Sequence, residues 1–555
     1  MMKNIYCVLS LGFSVFSIHI SAQTLQWEMG LGNTGNESIT AMDVDASGNV
    51  YITGEFFDVV DFDPSGSTAN LSAPIRGTYF AKYNASGGLV YAKSISSSLD
   101  CKTNALRLAN DGSIYITGEI SGTVDFDPSA GVANKTGSSD IFLAKYDNAG
   151  NYVWAHVMGT ASLATVSDAG ADVAFANNGD VYLTGCFGGT VDFDPSSGTS
   201  NLTSAGEVDV FLASYTNAGS FNWVKKFGGS SYDFPKRLAT DVNGNISVYG
   251  SFENTVDFDP SAATANLSAP GDPHLFLANY DNQGNYNWAI KIGNGDEITE
   301  KDMVTDNVGS IYITGSFFDF VDFDPSASTV ELEAFGMDAF LAKYDPDGNF
   351  IWAHRFGGNS SDFGARLAVD PASNVFITGG FEEQVDFDPS SSVANLTPIN
   401  SSSEIFLAGY TSDGNFISAA SIRTFNGFDD PACLAISADN HIYIGGNFRE
   451  GLGLNFNTQT LTSAGGNDIF VAKYKNELLF INENEAGSFV IFPNPTTNFI
   501  NISLKNPLPV DIYNMSGALV CHFAEAQSHV IDVSNLPSGI YVVRTGRHST
   551  KFIKE

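Results

Sequence analysis

Residues 179–196 read GDVYLTGCFGGTVDFDPS, and the pattern returns along most of the chain. VDFDPS begins at Val60, Val124, Val191, Val256, Val321 and Val385, and a decayed copy, LNFN, begins at Leu454. The spacings are 64, 67, 65, 65, 64 and 69 residues. Upstream of the copies stand GNVYITG (48–54), GSIYITG (112–118), GDVYLTG (179–185), GNISVYG (244–250), GSIYITG (309–315), SNVFITG (373–379) and NHIYIGG (440–446). Downstream come FAKY, FLAKY, FLASY, FLANY, FLAKY, FLAGY and FVAKY. Seven copies at a fixed period mark supersecondary units that bury their apolar faces on one another.

A further segment follows each of the first six: LVYAKS, YVWAHV, FNWVKK, YNWAIK, FIWAHR and FISAAS. The seventh copy lies at the other end of the chain, as LQWEMG from Leu25. All five tryptophans, Trp27, Trp154, Trp223, Trp288 and Trp352, occupy this one repeat position. A repeat cut so that its last strand comes from the N-terminus is expected of a ring and has no purpose in an open solenoid. Each unit reads as four strands, as in ADVAFA, VYLTG, DVFLASY and FNWVKKF. The second and third are apolar on both faces, as in sheets covered on both sides. The expected fold is all-β: a seven-bladed β-propeller over residues 23–476, closed by its N-terminal strand. The repeats resemble the bacterial propeller repeat family with GNVYVTG-like turns.

Composition agrees with a globular β protein. Hydrophobic residues make up 43% and aromatics 12%, too much for a disordered acidic chain. Asp and Glu number 62 against 26 Lys and Arg, a net charge of −36. That balance argues against nucleic acid and anionic membrane as partners, since both need cationic surface.

The two ends differ from the repeats. Residues 1–22 carry Lys3, a short apolar run and the small residue Ala22, the pattern of a secretory signal peptide. No later stretch reaches the ~18 apolar residues of a membrane-spanning helix. The remaining cysteines, Cys101, Cys186, Cys433 and Cys521, are scattered without CxxC spacing, which predicts neither a disulfide framework nor a zinc site. After a linker over 477–489, residues 490–555 alternate in short strands broken by Pro, Asn and Gly, the pattern of a small C-terminal β-sandwich. This segment resembles the type A sorting domain of the type IX secretion system of Bacteroidota. The matching positions are Pro493-Asn494-Pro495, Ile512-Tyr513 with Gly517, Leu536-Pro537 with Gly539-Ile540-Tyr541, and the basic ending Lys551 to Lys554. The resemblance implies passage across the outer membrane by that machinery and a secreted or cell-surface location.

Two sides of the ring offer different chemistry. DASGN (45–49), DNAGN (147–151), DVNGN (241–245) and DPDGN (345–349) are tight hairpin turns, in which Gly supplies positive φ. The form running from Asp147 to Trp154 faintly resembles the Asp-box of sialidases, itself a structural element. The long loops lie opposite. They hold VDFDPS and the connections GGSSYDFPK (228–236) and GGNSSDFG (357–364), and a ligand site is expected there.

VDFDPS carries two readings. In one, Phe anchors the loop and Asp-Pro-Ser opens a turn. In the other, paired carboxylates bind calcium, the candidates being Asp61 and Asp63, Asp125 and Asp127, Asp192 and Asp194, Asp257 and Asp259, Asp322 and Asp324, and Asp386 and Asp388. Two ligands per loop are few for calcium, and the seventh copy has Asn455 and Asn457 instead.

Nine residues before Val181, Ile246, Ile311 and Val375 stand Asp172, Arg237, Asp302 and Arg366. Arg107, in a unit read with a turn two residues shorter, falls near the same place. Alternating charges predict ion pairs between neighbouring units. The other reading makes Arg107, Arg237 and Arg366 a pocket for an anionic ligand such as a carboxylate sugar.

Catalytic signals are thin: GxSxG, HExxH and phosphate-binding Gly loops are missing, and His156 and His354 repeat one WAH position. Identical carboxylates on every unit do not make the singular constellation that catalysis needs. The expected role is a non-catalytic exported binding or scaffold module for a glycan or protein. The alternative is a secreted polysaccharide hydrolase working from the long-loop face.

Overall fold

The computed structural model describes residues 23–160, 168–293, 298–398, 403–424, 430–449, 454–455, 460–476, 490–492, 496–514, 519–545 and 548–554. The expected leader over 1–22, the linker over 477–489, Pro493-Asn494-Pro495 and Gly517 lie outside the described residues. The chain divides into two compact units, Met1–Glu477 and Leu478–Glu555. Among the described residues every regular element is a β-strand.

The repeat that opened the sequence reading forms one antiparallel sheet. Its strands, Ala169–Phe175, Val181–Phe187, Asp209–Tyr215 and Phe221–Phe227, pair in chain order. The same order recurs in sets that start with Ser38–Val44, Asp100–Leu108, Asp233–Thr240, Ile298–Thr305 and Phe363–Val369. The remaining set runs Asp430–Ile436, His441–Phe448 and Asp468–Asn476, and its outer strand is Gln23–Leu31, with Gln23 opposite Asn476 and Leu31 opposite Ile469. The first strand of each set packs on the first strands of its two neighbours, and Asp430–Ile436 packs on Ser38–Val44. One core cluster accordingly joins Ile39, Val50 and Phe56 to Met29, Cys433, Ile469 and Val471.

Local chemistry explains the shape of each sheet. The second and third strands are buried where they pair in the sheet, completely so in Asp209–Tyr215, because both faces meet a neighbouring sheet. A Cβ on Gly185 would lie 2.1 Å from the Ala169 carbonyl oxygen, so the closing Gly of VYLTG lets the first strand approach. The hairpin turns place Gly150 at φ 75° and, less comfortably, Ser373 at φ 63°.

In every set the pairing of first and second strands slips at one place, between Gly170 and Asp172 and likewise between Ile39/Ala41, Thr103/Ala105, Pro235/Arg237, Glu300/Asp302, Gly364/Arg366 and Pro431/Cys433. A β-bulge twists a strand and re-aims its side chains. Here it directly precedes Asp172, Arg237, Asp302 and Arg366.

In the C-terminal unit, Val490–Phe492, Phe499–Asn514, Leu519–Asp532, Gly539–Thr545 and His548–Lys554 belong to one hydrogen-bonded sheet. Ile500, Val510, Ile512, Ile531, Val543 and Phe552 form its core.

Candidate functional site

The VDFDPS loops are built around their phenylalanines. Phe62, Phe126, Phe193, Phe258, Phe323 and Phe387 are fully buried. The carbonyl oxygen of each accepts a hydrogen bond from the tyrosine that ends FLAKY, as from Tyr83 to Phe62 at 2.9 Å and from Tyr215 to Phe193 at 3.0 Å. The first Asp accepts backbone N–H groups from two and eight residues on: Asp257 Oδ1 lies 3.1 Å from Asp259 N and 2.8 Å from Ala265 N. The second Asp accepts the N–H of the following Ser, at 2.8 Å for Asp259 and Ser261. Identical bonds recur at Asp61 and Asp63, Asp125 and Asp127, Asp192 and Asp194, Asp322 and Asp324, and Asp386 and Asp388. Calcium takes six to eight oxygen ligands. Carboxylates turned to their own loop's N–H groups fit that ion poorly, and among the described residues no group of three or more His, Cys, Asp or Glu is placed to hold a metal.

Arg107 and Arg237 meet aspartates across sheet boundaries. Arg107 Nη2 lies 3.0 Å from Asp172 Oδ2, and Arg237 Nε lies 2.5 Å from Asp302 Oδ1. Each aspartate also reaches its other neighbour: Asp172 Oδ2 accepts the Leu238 N–H at 3.2 Å, and Asp302 Oδ2 accepts that of Leu367 at 2.8 Å. Arg366 donates to the Ala365 carbonyl at 2.8 Å.

Register sets Arg107 apart. Ala105, opposite Thr117, holds the place that Asp172 and Arg237 hold in their sheets, and Arg107 stands two residues nearer the turn, opposite Tyr115. The turn of that unit is as long as the others, and the reach of the guanidinium, not a shorter turn, brings it to Asp172. Asp43, opposite Tyr51, is its counterpart in the first sheet and was missed by alignment on Asp172. Asp43 accepts the Leu108 N–H at 2.9 Å, and burial raises its carboxyl above the usual range against the pull of Arg107.

Asp43, Arg107, Arg237, Asp302 and Arg366 line a cavity of about 320 Å³ between the first strands. A cavity of about 390 Å³ beside it is lined by Thr103, Asn104, Lys236, Arg237 and Arg366. Burial, with Arg237 and Arg366 close by, brings the Lys236 ammonium down to about 8, against the opposing pull of Glu300.

The connections between sheets are stapled as firmly as the VDFDPS loops. Asp233 accepts the N–H groups of Gly229 at 2.7 Å and Glu253 at 3.3 Å, and Asp362 those of Gly358 at 2.8 Å and Glu382 at 3.0 Å. Burial outweighs these bonds and lifts both carboxyls to about 6. His156 stacks on Trp154 and lies 2.8 Å from the Gly219 carbonyl oxygen, and His354 repeats the arrangement on Trp352 and Gly414. Burial lowers both imidazoles. It lifts the thiols of Cys101 and Cys433 to about 12, far from a nucleophile's range.

Residues 490–555 match the Secretion system C-terminal sorting domain, and residues 351–379 match the Beta-propeller repeat. Over 511 residues the chain is 23% identical to an uncharacterized WD repeat-containing protein of Acanthamoeba polyphaga mimivirus, covering 76% of this chain and 36% of that one. It is 27% identical over 268 residues to the regulatory protein FlaEY of Caulobacter vibrioides, covering 45% and 25%. The chain thus spans about a third or less of the curated relatives it matches. Among solved structures, a catalytically inactive virginiamycin B lyase from Staphylococcus aureus covers 81% of this chain and 99% of its own, at 8% identity and a TM-score of 0.35. The chain therefore carries a β-propeller repeat and a type IX sorting domain, and the sorting domain implies export, followed by secretion or attachment at the cell surface.

Proposed function

We propose that the chain is an exported, non-catalytic binding or scaffold module: a closed seven-bladed propeller, delivered by a sandwich-like sorting domain, that holds a glycan or protein ligand. The observation that carries this reading is where the reactive side chains are spent. The VDFDPS aspartates, Asp233 and Asp362, the ion-paired Arg107 and Arg237, and His156 and His354 are each engaged by backbone or by a neighbouring sheet. Such a molecule is a rigid frame. Closure is supported by the pairing of Gln23–Leu31 with Asp468–Asn476 and by the contact of Asp430–Ile436 with Ser38–Val44. The purified chain, screened on a glycan array and against chromogenic polysaccharide substrates, is expected to retain ligand without releasing product. Turnover would overturn the reading in favour of a hydrolase.

A further inference from the structure

One sheet departs from the others on the side of the short turns. In four sheets the second-strand Tyr faces a third-strand Lys, which in turn faces the fourth strand: Tyr51 and Lys82, Tyr115 and Lys145, Tyr312 and Lys343, Tyr443 and Lys473. Each ammonium lies 4.8–5.2 Å from the centre of its Tyr ring. Each also reaches the turn of the next sheet, at Asn148, Asn217, Ser412 and Ala85. Two sheets replace the pair with groups that close the space. Asn279 bonds to Ser247, and a Cβ on Gly409 would meet the Phe376 ring at 2.7 Å.

The third sheet keeps both aromatics and loses the lysine. Ser214 stands between Tyr182 and Trp223. A cavity of about 520 Å³ opens there, lined by Tyr182, Ser214, Asn222, Trp223, Asp180 and Asn282 among others. That lies within the roughly 300–1,000 Å³ range of small-ligand pockets.

Two further details single out this place. Trp27, Trp154, Trp288 and Trp352 donate their indole N–H to a carbonyl of the next turn at 3.0–3.3 Å, whereas that of Trp223 has no acceptor among the described residues. The last residue of the first turn, Asn, Ser or His in the other repeats, is Asp180 here. Its Oδ2 accepts Asn222 at 3.1 Å and Asn178 at 3.0 Å, and Asn222 also donates to Ser214 Oγ at 3.2 Å.

We propose that this cavity binds a neutral oligosaccharide, with Trp223 as the stacking face and Asp180 and Asn222 as hydrogen-bonding partners for adjacent hydroxyls. The lining carries amides, a serine and a carboxylate but no Lys or Arg, so it suits uncharged hydroxyls and repels uronic acids and phosphates. An amphipathic aromatic beside convergent polar groups takes a ligand with one apolar and one polar edge, which is how a pyranose ring is built. The inference rests on the binding-module reading and moves the ligand from the long loops to the short-turn side.

Ser214→Lys tests it directly, because it restores the side chain that four sister sheets carry at that register. The full chain is titrated with cellohexaose, xylohexaose and mannohexaose by calorimetry, with tryptophan fluorescence in parallel. At least one neutral hexasaccharide is expected to bind, with affinity falling tenfold or more in Ser214→Lys and in Trp223→Ala while the melting temperature of Ser214→Lys is unchanged. Three results would overturn the proposal: hexasaccharide binding unaltered by Ser214→Lys, binding of polygalacturonate alone, or binding of none of the sugars. Unaltered binding would leave the binding-module reading intact, whereas hydrolysis of the probes would overturn that reading instead.

Discussion

Arg237 shows how a charge buried near a cavity acts as structure. Its guanidinium and the Asp302 carboxylate are both largely shielded, with side-chain exposures of 11% and 8%. Removing one partner of such a pair strands the other charge, at a cost of about 3 kcal/mol. Arg237→Ala is therefore expected to lower the unfolding free energy by about that amount in urea titrations, and Asp302→Ala similarly. Unchanged stability in Arg237→Ala would favour the reading of these arginines as a pocket for an anionic ligand. The alternation of Asp172, Arg237, Asp302 and Arg366 was legible in the sequence because a fixed bulge keeps those four at one register. Asp43 and Arg107 were harder to read. They sit two residues nearer the turn, and only side-chain reach brings Arg107 to Asp172.

Asp233 and Asp362 carry a pH dependence of known sign. Burial lifts their carboxyls to about 6, above the ordinary aspartate range. A group raised on folding contributes stability that is full below the unfolded value and lost as pH rises through the folded one. Between about pH 4 and 6 these two aspartates thus make the fold less stable as pH increases. Asp233→Asn should flatten that part of the melting-temperature profile, as scanning calorimetry at half-unit pH steps would show. A profile as steep as that of the parent chain would refute the assignment.

At the scale of the element, the VDFDPS loop is a fastener. Its Phe fills the core, its carbonyl takes a Tyr hydroxyl, and its aspartates take the loop's own N–H groups. The role of the Phe followed from alternation along the strand. The partners of the aspartates did not, because Ala265 lies eight residues away and meets Asp257 only once the loop has folded back. Adding calcium to the chelated chain is expected to give no heat and no change in melting temperature. Asp257→Ala, which leaves two N–H groups without their acceptor, is expected to cost about 1–3 kcal/mol. A calcium-dependent rise in melting temperature would revive the cation reading.

For the whole molecule, the decisive pairing joins the first and last strands of the repeat region. Gln23–Leu31 lies along Asp468–Asn476, and Asn467 donates to Asn36 across 431 residues of sequence. The split repeat made this visible in the sequence, since six Trp-type strands in line demanded a seventh. Deleting residues 23–31 should lower the melting temperature by several degrees and expose the edge of Asp468–Asn476. Light scattering of the truncated chain is expected to show association, and a monomer with unchanged melting would contradict the proposed closure.

That pairing also sets an order of events. Ribosomes release the chain from its N-terminus, so Gln23–Leu31 emerges first and waits through every other repeat for its partner. The last repeat strand ends at Asn476 and the sorting domain begins at residue 490, so the export address is written only after the final partner strand. A chain stopped short within the repeats lacks both its last sheet and its passport. The type IX address is thus carried only by copies whose repeats have been synthesised to the end.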